Sequence, residues 1–388
     1  MSRPPFAPEE AIEQLQSEGF NIEVVEGAVL IHDVPAVDPN GTVHRVTLGD
    51  PLQYAGDRLL PPRDHTLKFC GDHPSDDQGH PLTRLVAGPD HSALTPGVVA
   101  QFLLSSKPTN GTYLDLHDKV THYVDLIERW AQSIEPGASA RTFGRTDGST
   151  AHKSPFRYAD SATPRAGITD LAEPLQGQRL AIVGIGGTGS YLLDLLMKTP
   201  VAEIHLYDGD VLLSHNAFRA PRAISVEELR TEPNKASYWA KQTEVFREGV
   251  VAHDLYVTAE DVPELAQYDF VFLAVDDGPA RTELVTALEA ADVSFIDVGL
   301  GVDRAGPKGQ LLAAVRISVS TPQARAHIPV GTGKDEYGSN IQIAELNALN
   351  ATLAVLAWKR LNGYYLDAVE GTTSIYSTDD NTIAEDRP

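Results

Sequence analysis

The run Arg179-Leu-Ala-Ile-Val-Gly-Ile-Gly-Gly-Thr-Gly-Ser190 constrains the fold of this 388-residue chain more than any other segment. Arg179–Ile185 (RLAIVGI) is a short apolar stretch of the kind that forms a strand buried on both faces. A glycine-rich turn follows, and a helical stretch runs through Ser190–Lys198. In this context each glycine has a physical task. Gly184 permits the tight turn, Gly186 lets a phosphate approach the backbone, and Gly189 lets helix and strand pack closely, with Gly187 a further member of the cofactor-binding turn. The helix N-terminus adds amide donors and a partial positive charge. Asp208 follows Gly189 by about 19 residues, where a ribose-binding carboxylate is expected. Up to this point a nicotinamide enzyme fits as well as an ATP-binding one.

The rest of the second half alternates strand and helix. Strand patterns cover residues 203–210, 269–275, 294–301 and 310–320, and helical ones 235–248, 278–291 and 340–361. Such alternation predicts an α/β fold, a Rossmann-like, mostly parallel sheet over residues 175–370. The first half has another texture. A short amphipathic helix over 8–19, a hairpin around Glu26-Gly27 and a helix over 113–133 with Leu116, Val120, Val124 and Ile127 on one face predict an N-terminal α+β domain, residues 1–135. Residues 136–174, rich in Gly, Ser, Thr and Pro, read as a linker or arm, and 371–388 as an acidic flexible tail.

Beyond the glycine turn come Asp208-Gly-Asp210-Val211, then Asn216, Arg219 and Lys235, then Asp276 with Arg281. This series resembles the ThiF/HesA/MoeB-type adenylyltransferases, the ubiquitin-activating-enzyme-like family, whose pattern is D-x-D-x-V-x-x-x-N-x-x-R, a downstream lysine, and a strand ending in aspartate followed by arginine. The match holds in order and approximate spacing over about 185 residues. The resemblance implies that Asp208 and Asp210 serve the nucleotide, with Asp208 on the ribose. It implies that Asn216, Arg219 and Lys235 address the triphosphate and that Asp276 holds Mg²⁺. It also implies one more arginine from the segment before the first strand, with Arg165 preferred over Arg157. Taken singly, Arg219 and Lys235 are equally readable as solvated charges, and Asp210 or Asp276-Asp277-Gly278 as turn formers.

The implied chemistry explains the residue types. Adenylation brings a carboxylate onto the α-phosphorus of ATP and expels pyrophosphate. The carboxylate is already ionised at pH 7, so no general base is needed, and no Ser/His/Asp or Cys/His arrangement is evident. The obstacle is the approach of anion to anion, which fixed cations and a metal relieve. By resemblance the carboxylate is the C-terminus of a ubiquitin-like protein and the chain forms a homodimer, while the lack of a secretory or membrane-spanning pattern predicts a cytoplasmic location.

The family pattern breaks at cysteine. Thioester-forming members carry one after the adenylation core, and zinc-holding members carry two C-x-x-C pairs, whereas this chain has only Cys70. No zinc site is expected. Direct transfer of the acyl adenylate to a partner ranks first. A hydroxyl in the 318–339 region, such as Ser318, Ser320 or Thr321, and Cys70 itself are further routes. The first half, with HTLKFCGDHP and YLDLHDKVTHY, resembles a region of ThiF-like proteins in bacterial ubiquitin-like conjugation operons. It suggests docking of the ubiquitin-like protein or a conjugating enzyme. Its histidines, His65, His73, His80, His117 and His122, lack the spacing of a metal motif. Two other classes stay open: a non-catalytic scaffold of this fold, and an NAD-dependent oxidoreductase.

The formal net charge of −23, with no Lys/Arg run, argues against nucleic acid. No apolar run of membrane-spanning length or secretory pattern is present, so no membrane association is expected.

Overall fold

The computed structural model describes residues 8–25, 27–56, 58–62, 64–108, 111–143, 154–157, 160, 162–276, 278–325, 328, 342–368 and 371–385. It divides into two compact units, residues 1–154 with 158–173, and 155–157 with 174–388.

The first unit opens with helix α1 (Pro8–Ser17) and strands β1 (Asn21–Val25), β2 (Ala28–Val37) and β3 (Val43–Pro51). Short strands β4 (Tyr54–Ala55) and β5 (Arg58–Leu59) precede β6 (Thr66–Cys70) and β7 (Val86–Pro89). Then come β8 (Ala93–Thr95), β9 (Val98–Val99), β10 (Phe102–Ser105), α2 (Leu116–Ile134), α3 (Ala162–Ala166) and α4 (Thr169–Ala172). The main sheet has the order β1-β2-β3-β6-β10-β7, and its pairings are antiparallel. The expected hairpin is β1–β2, with Val25 opposite Ala28. Helix α2 buries Leu116, Val120, Val124 and Ile127, the predicted stripe, in one core with Leu48, Leu67 and Phe69. Leu67 and Phe69 alternate inward along β6, which explains the HTLKFC pattern.

The second unit contains β11 (Arg179–Val183), α5 (Gly187–Leu196), β12 (Glu203–Tyr207), α6 (Ser214–Ala217), α7 (Val226–Arg230), α8 (Lys235–Thr243) and β13 (Val250–His253). After these come α9 (Val262–Leu265), β14 (Phe270–Leu273), α10 (Gly278–Ala290), β15 (Phe295–Ala305), β16 (Gln310–Ser320), α11 (Ala344–Leu361), β17 (Thr373–Ser377) and β18 (Thr382–Glu385). The sheet order is β13-β12-β11-β14-β15-β16-β17-β18. Strands β13 to β15 pair in parallel, and β16, β17 and β18 extend the sheet antiparallel. This is the expected Rossmann-like α/β architecture. Along β11, Leu180 and Ile182 enter one core while Ala181 and Val183 enter the other, so the sheet is covered on both faces and its strands read as continuous apolar runs.

Three segments differ from the sequence expectations. Within 371–388, read as a flexible tail, β17 pairs with β16 and β18 with β17, because backbone groups at the edge of β16 accept a further strand. Within 136–174, read as a linker, Arg141 bridges Phe20, Ile168 bridges Ala93, and Pro155–Arg157 belongs to the second unit. Strand β13 carried no clear sequence signal, being four residues long beside a glycine. Among the described residues no helix is long and apolar enough to cross a membrane.

Candidate active site

The sheet order reverses at β11, whose neighbours β12 and β14 lead to opposite halves of the unit. In open α/β sheets such a reversal leaves a crevice at the carboxyl ends of the strands. The glycine turn sits there. Gly184 has φ of +88°, and a Cβ on it would come 2.5 Å from the Ala274 carbonyl oxygen. A Cβ at Gly189 would come 1.9 Å from the Gly184 carbonyl oxygen, and one at Gly187 2.2 Å from Asn347 Nδ2. Gly186 has nothing within 4 Å, so its face of the turn is open to a ligand.

Asp208, at the end of β12, is tied into this turn. Its Oδ2 accepts the Ile185 N–H at 2.8 Å and its Oδ1 the Asp210 N–H at 2.9 Å. Asp210 is held by Lys235 Nζ at 2.6 Å and by the Tyr256 hydroxyl at 2.5 Å. Burial works against the Asp210 anion, but the hydrogen bonds from Lys235 and Tyr256 outweigh it and hold its carboxyl below the usual range. Lys235 Nζ also lies 3.7 Å from Asp208 Oδ1. One nearly buried ammonium thus balances both carboxylates of the D-x-D pair.

Asn216 and Arg219 follow on and just after α6. Asn216 is buried, and its Oδ1 accepts the Leu213 N–H at 2.9 Å. Its Nδ2, and the Nε of Arg219, are buried without a hydrogen-bond partner among the described residues. Unpaired buried donors are rare and costly, and an anionic ligand would satisfy both. Asp276, beyond β14, accepts Gln342 Nε2 at 2.9 Å. Burial pushes its carboxyl above the usual range, while Arg219, Gln342 and Lys235 pull it down and Asp208 pushes it up. Residues from four segments therefore act on one carboxyl. Among the described residues no group of three His, Cys, Asp or Glu side chains is placed to hold a metal ion. A magnesium ion bound by one carboxylate and substrate phosphates is compatible with that donor set.

Arg281 faces elsewhere. Its Nε and Nη2 grip Asp297 at 2.6 and 2.5 Å, and Arg316 Nη2 reaches the same carboxylate at 2.7 Å. Asp297 is wholly buried. No spacing or motif marks this triad in advance, nor the Thr188 hydroxyl donating to Asn347 Oδ1 at 2.9 Å. The one available signal was Asn347 and Asn350, polar residues three apart on an otherwise apolar helix face.

The remaining expectations fare differently. Arg157 Nη1 pairs with Glu248 at 2.7 Å, next to the start of β13 and away from the strand ends that bear the glycine turn. Arg165 lies in α3 of the first unit, and its side chain is outside the described residues, as is Asp277. Ser318 and Ser320 are wholly buried, Ser320 bonded to Glu289 at 2.8 Å, so neither can receive an acyl group. The Thr321 hydroxyl is engaged in a turn with Ala324. Burial pushes the Cys70 thiol up to about 11, which removes it as a nucleophile near pH 7. Among the histidines, His117 bonds Glu18 at 2.8 Å, His122 bonds Ser106 at 2.9 Å, and His80 lies 3.2 Å from Asp76.

Comparison with known proteins bears on both units. Residues 10–161 match a domain of unknown function (DUF6791). No curated protein matches the chain. Among solved structures, E. coli MccB with selenomethionine MccA is 16% identical, with a TM-score of 0.46 over 58% of this chain and 67% of that one. E. coli MccB with ATP is 16% identical, with a TM-score of 0.45 over 58% and 68%. Selenomethionine PaaA is 18% identical, with a TM-score of 0.43 over 59% and 77%. Residues 160–367, more than half of the chain and all of the crevice just described, match the ThiF family, and the chain belongs to that family.

Proposed function

We propose that the chain is an adenylyltransferase that uses Mg-ATP to activate a polypeptide's C-terminal carboxylate. The observation that carries this reading is the pair of unpaired buried donors, Asn216 Nδ2 and Arg219 Nε, together with the action of Arg219 and Lys235 on the Asp276 carboxyl. Buried cationic and amide donors left unsatisfied are suited to an anion.

In the proposed reaction a carboxylate oxygen attacks the α-phosphorus of ATP, the bond from that phosphorus to the bridging oxygen breaks, and pyrophosphate leaves. No proton moves at the attacking atom. Asp208 shapes the glycine turn through Ile185 and keeps acceptor capacity for a ribose hydroxyl. Asn216 and Arg219 donate to phosphate oxygens, with Arg219 opposing the charge that builds on the leaving group. Lys235, parked on Asp210 at 2.6 Å, is positioned to share its charge with the triphosphate. Asp276 would hold the magnesium ion, which supplies electrostatic relief on the phosphates when bound.

The family resemblance favours a ubiquitin-like protein as the activated partner, with the first unit as its docking domain or that of a conjugating enzyme. Burial of Cys70, Ser318 and Ser320 disfavours them as acyl carriers and supports direct passage of the adenylate to a nucleophile on a partner. The test is exchange of labelled pyrophosphate into ATP, dependent on magnesium and on the added C-terminal polypeptide. Arg219→Ala is expected to lower the rate by about two orders of magnitude. Binding of NADH with no binding of ATP overturns the reading in favour of an oxidoreductase. Binding of ATP without exchange, against every ubiquitin-like protein encoded beside this chain, favours a scaffold.

A further inference from the structure

Between Asp208 and Asp210 stands Gly209, and a Cβ on it would come 2.6, 2.7 and 2.8 Å from three ring atoms of Tyr256. The glycine is what lets an aromatic side chain lie against this strand end. The Tyr256 hydroxyl donates to Asp210 Oδ1 at 2.5 Å, and Lys235 Nζ takes the other oxygen, Oδ2, at 2.6 Å. The two donors thus use different atoms of one carboxylate, and either can leave without unseating the other. The backbone beneath them is tied down. The Lys235 N–H donates to the Asp210 carbonyl at 2.9 Å, and the Leu212 N–H to the Pro233 carbonyl at 2.8 Å. Asp254, two residues before Tyr256, accepts the Ser237 N–H at 3.1 Å and the Ser237 hydroxyl at 2.5 Å, in the first turn of α8 that Lys235 opens. Lys235 can therefore redirect its charge by turning its side chain alone, and that charge already acts on Asp276.

Turning Lys235 away strips Asp210 of its cation just as a triphosphate arrives, and a carboxylate beside phosphate is costly unless another donor stays on it. We propose that Tyr256 is a positioning residue for nucleotide binding: its hydroxyl keeps Asp210 paired while Lys235 swings to the triphosphate, and Gly209 is the spacer that admits its ring. The assignment rests on the adenylation reading and adds to it the means by which the lysine is released. Without the hydroxyl, Asp210 in the free protein still has Lys235, whereas in the nucleotide complex it has neither donor. The penalty is therefore larger in the complex, and it appears as weaker ATP binding rather than as lower stability. Tyr256 is 68% exposed and contributes little packing, which keeps those two effects apart.

The full-length chain is titrated with magnesium and a non-hydrolysable ATP analogue, and binding is followed by calorimetry. The titration is run at pH 8, where His215, lowered by burial and by Arg219 and Lys235, is neutral. Tyr256→Phe keeps the ring and removes only the hydroxyl. It is expected to weaken the analogue by about three- to ten-fold, with the melting temperature of the free protein moving by less than about 2 °C. In pyrophosphate exchange the loss should appear in KM for ATP, with kcat within about two-fold. In an Asp210→Asn background, where no carboxylate holds Lys235, the same change should weaken binding by less than about 1.5-fold. Gly209→Ala should weaken binding at least as much as Tyr256→Phe, yet be close to neutral in a Tyr256→Ala background, because the ring is what its Cβ meets. This second pair carries the test even where Tyr256→Phe prevents folding. Native affinity in Tyr256→Phe, an equal loss in the Asp210→Asn background, or a loss from Gly209→Ala that persists without the ring overturns the proposal. Failure of the native chain to bind the analogue strikes the adenylation reading instead, so the two failures are distinguishable.

Discussion

Removing the Asp297 carboxylate tests how the second unit tolerates charge in its interior. In the native chain this wholly buried carboxylate takes hydrogen bonds of 2.6 and 2.5 Å from Arg281 and 2.7 Å from Arg316. Asp297→Ala removes the anion that both guanidiniums, 13% and 15% exposed, contact. Breaking a buried ion pair from one side costs roughly 3–5 kcal/mol. For a unit in the 150–250 residue class each kcal/mol lowers Tm by about 2–4 °C, so a fall of roughly 6–20 °C is expected. Scanning calorimetry of the full chain reads this in the transition that ATP analogue raises, since a ligand stabilises only the unit that binds it. A companion variant, Asp297→Leu with Arg281→Met and Arg316→Met, replaces the whole triad by apolar side chains of similar volume. It should recover most of the loss, because a complete buried ion cluster is often no more stabilising than hydrophobic packing. A fall of less than about 2 °C in Asp297→Ala would refute the charge argument.

Three further outcomes follow from the geometry. Gly189→Ala places a Cβ 1.9 Å from the Gly184 carbonyl oxygen, so the turn must shift; a stability loss of about 1–3 kcal/mol and a large drop in affinity for ATP are expected by calorimetry. Asp276→Asn should abolish magnesium-dependent exchange and yet raise stability at pH 7. Its carboxyl, raised above the usual range mainly by burial, destabilises the folded chain once ionised, and the native protein regains that stability as pH falls through the raised value. Asp276→Asn should lack this gain in melting curves taken between pH 7 and pH 4, and parallel pH profiles for the two proteins would count against the assignment. Cys70→Ser should exchange pyrophosphate at the native rate. With the thiol at about 11, only about one in three thousand is ionised at pH 7.5, so iodoacetamide should leave Cys70 unmodified, as read by intact mass.

Local chemistry made much of the nucleotide end of this protein legible in advance. Leu180 to Val183 read as a strand because both faces are buried, and the glycines at 184, 186, 187 and 189 read as a turn because Cβ atoms at 184, 187 and 189 have no room and 186 faces open space. Asp208, Asn216, Arg219 and Lys235 lie within one stretch of chain, so their spacing could be compared with a pattern. The hairpin at β1–β2 and the apolar stripe of α2 were visible for the same reason, since periodicity is a local property.

What only the tertiary structure decided lies farther apart in the chain. Arg281, Asp297, Arg316 and Asn350 come from α10, β15, β16 and α11, and no interval between them marks them as neighbours. The antiparallel pairing of β15 with β16, which sets Gly299 opposite Arg316 and Asp297 opposite Ser318, brings them together. The same pairing carries the sheet on through β17 and β18, where an acidic, polar sequence adds its backbone to an open edge. Hydrogen bonding between strands depends on the backbone and barely on side chains, so composition alone could not announce it. Burial likewise separated Ser318 and Ser320 from any role as acyl acceptors, because a hydroxyl has the same identity in a sequence whether it faces solvent or a packed core.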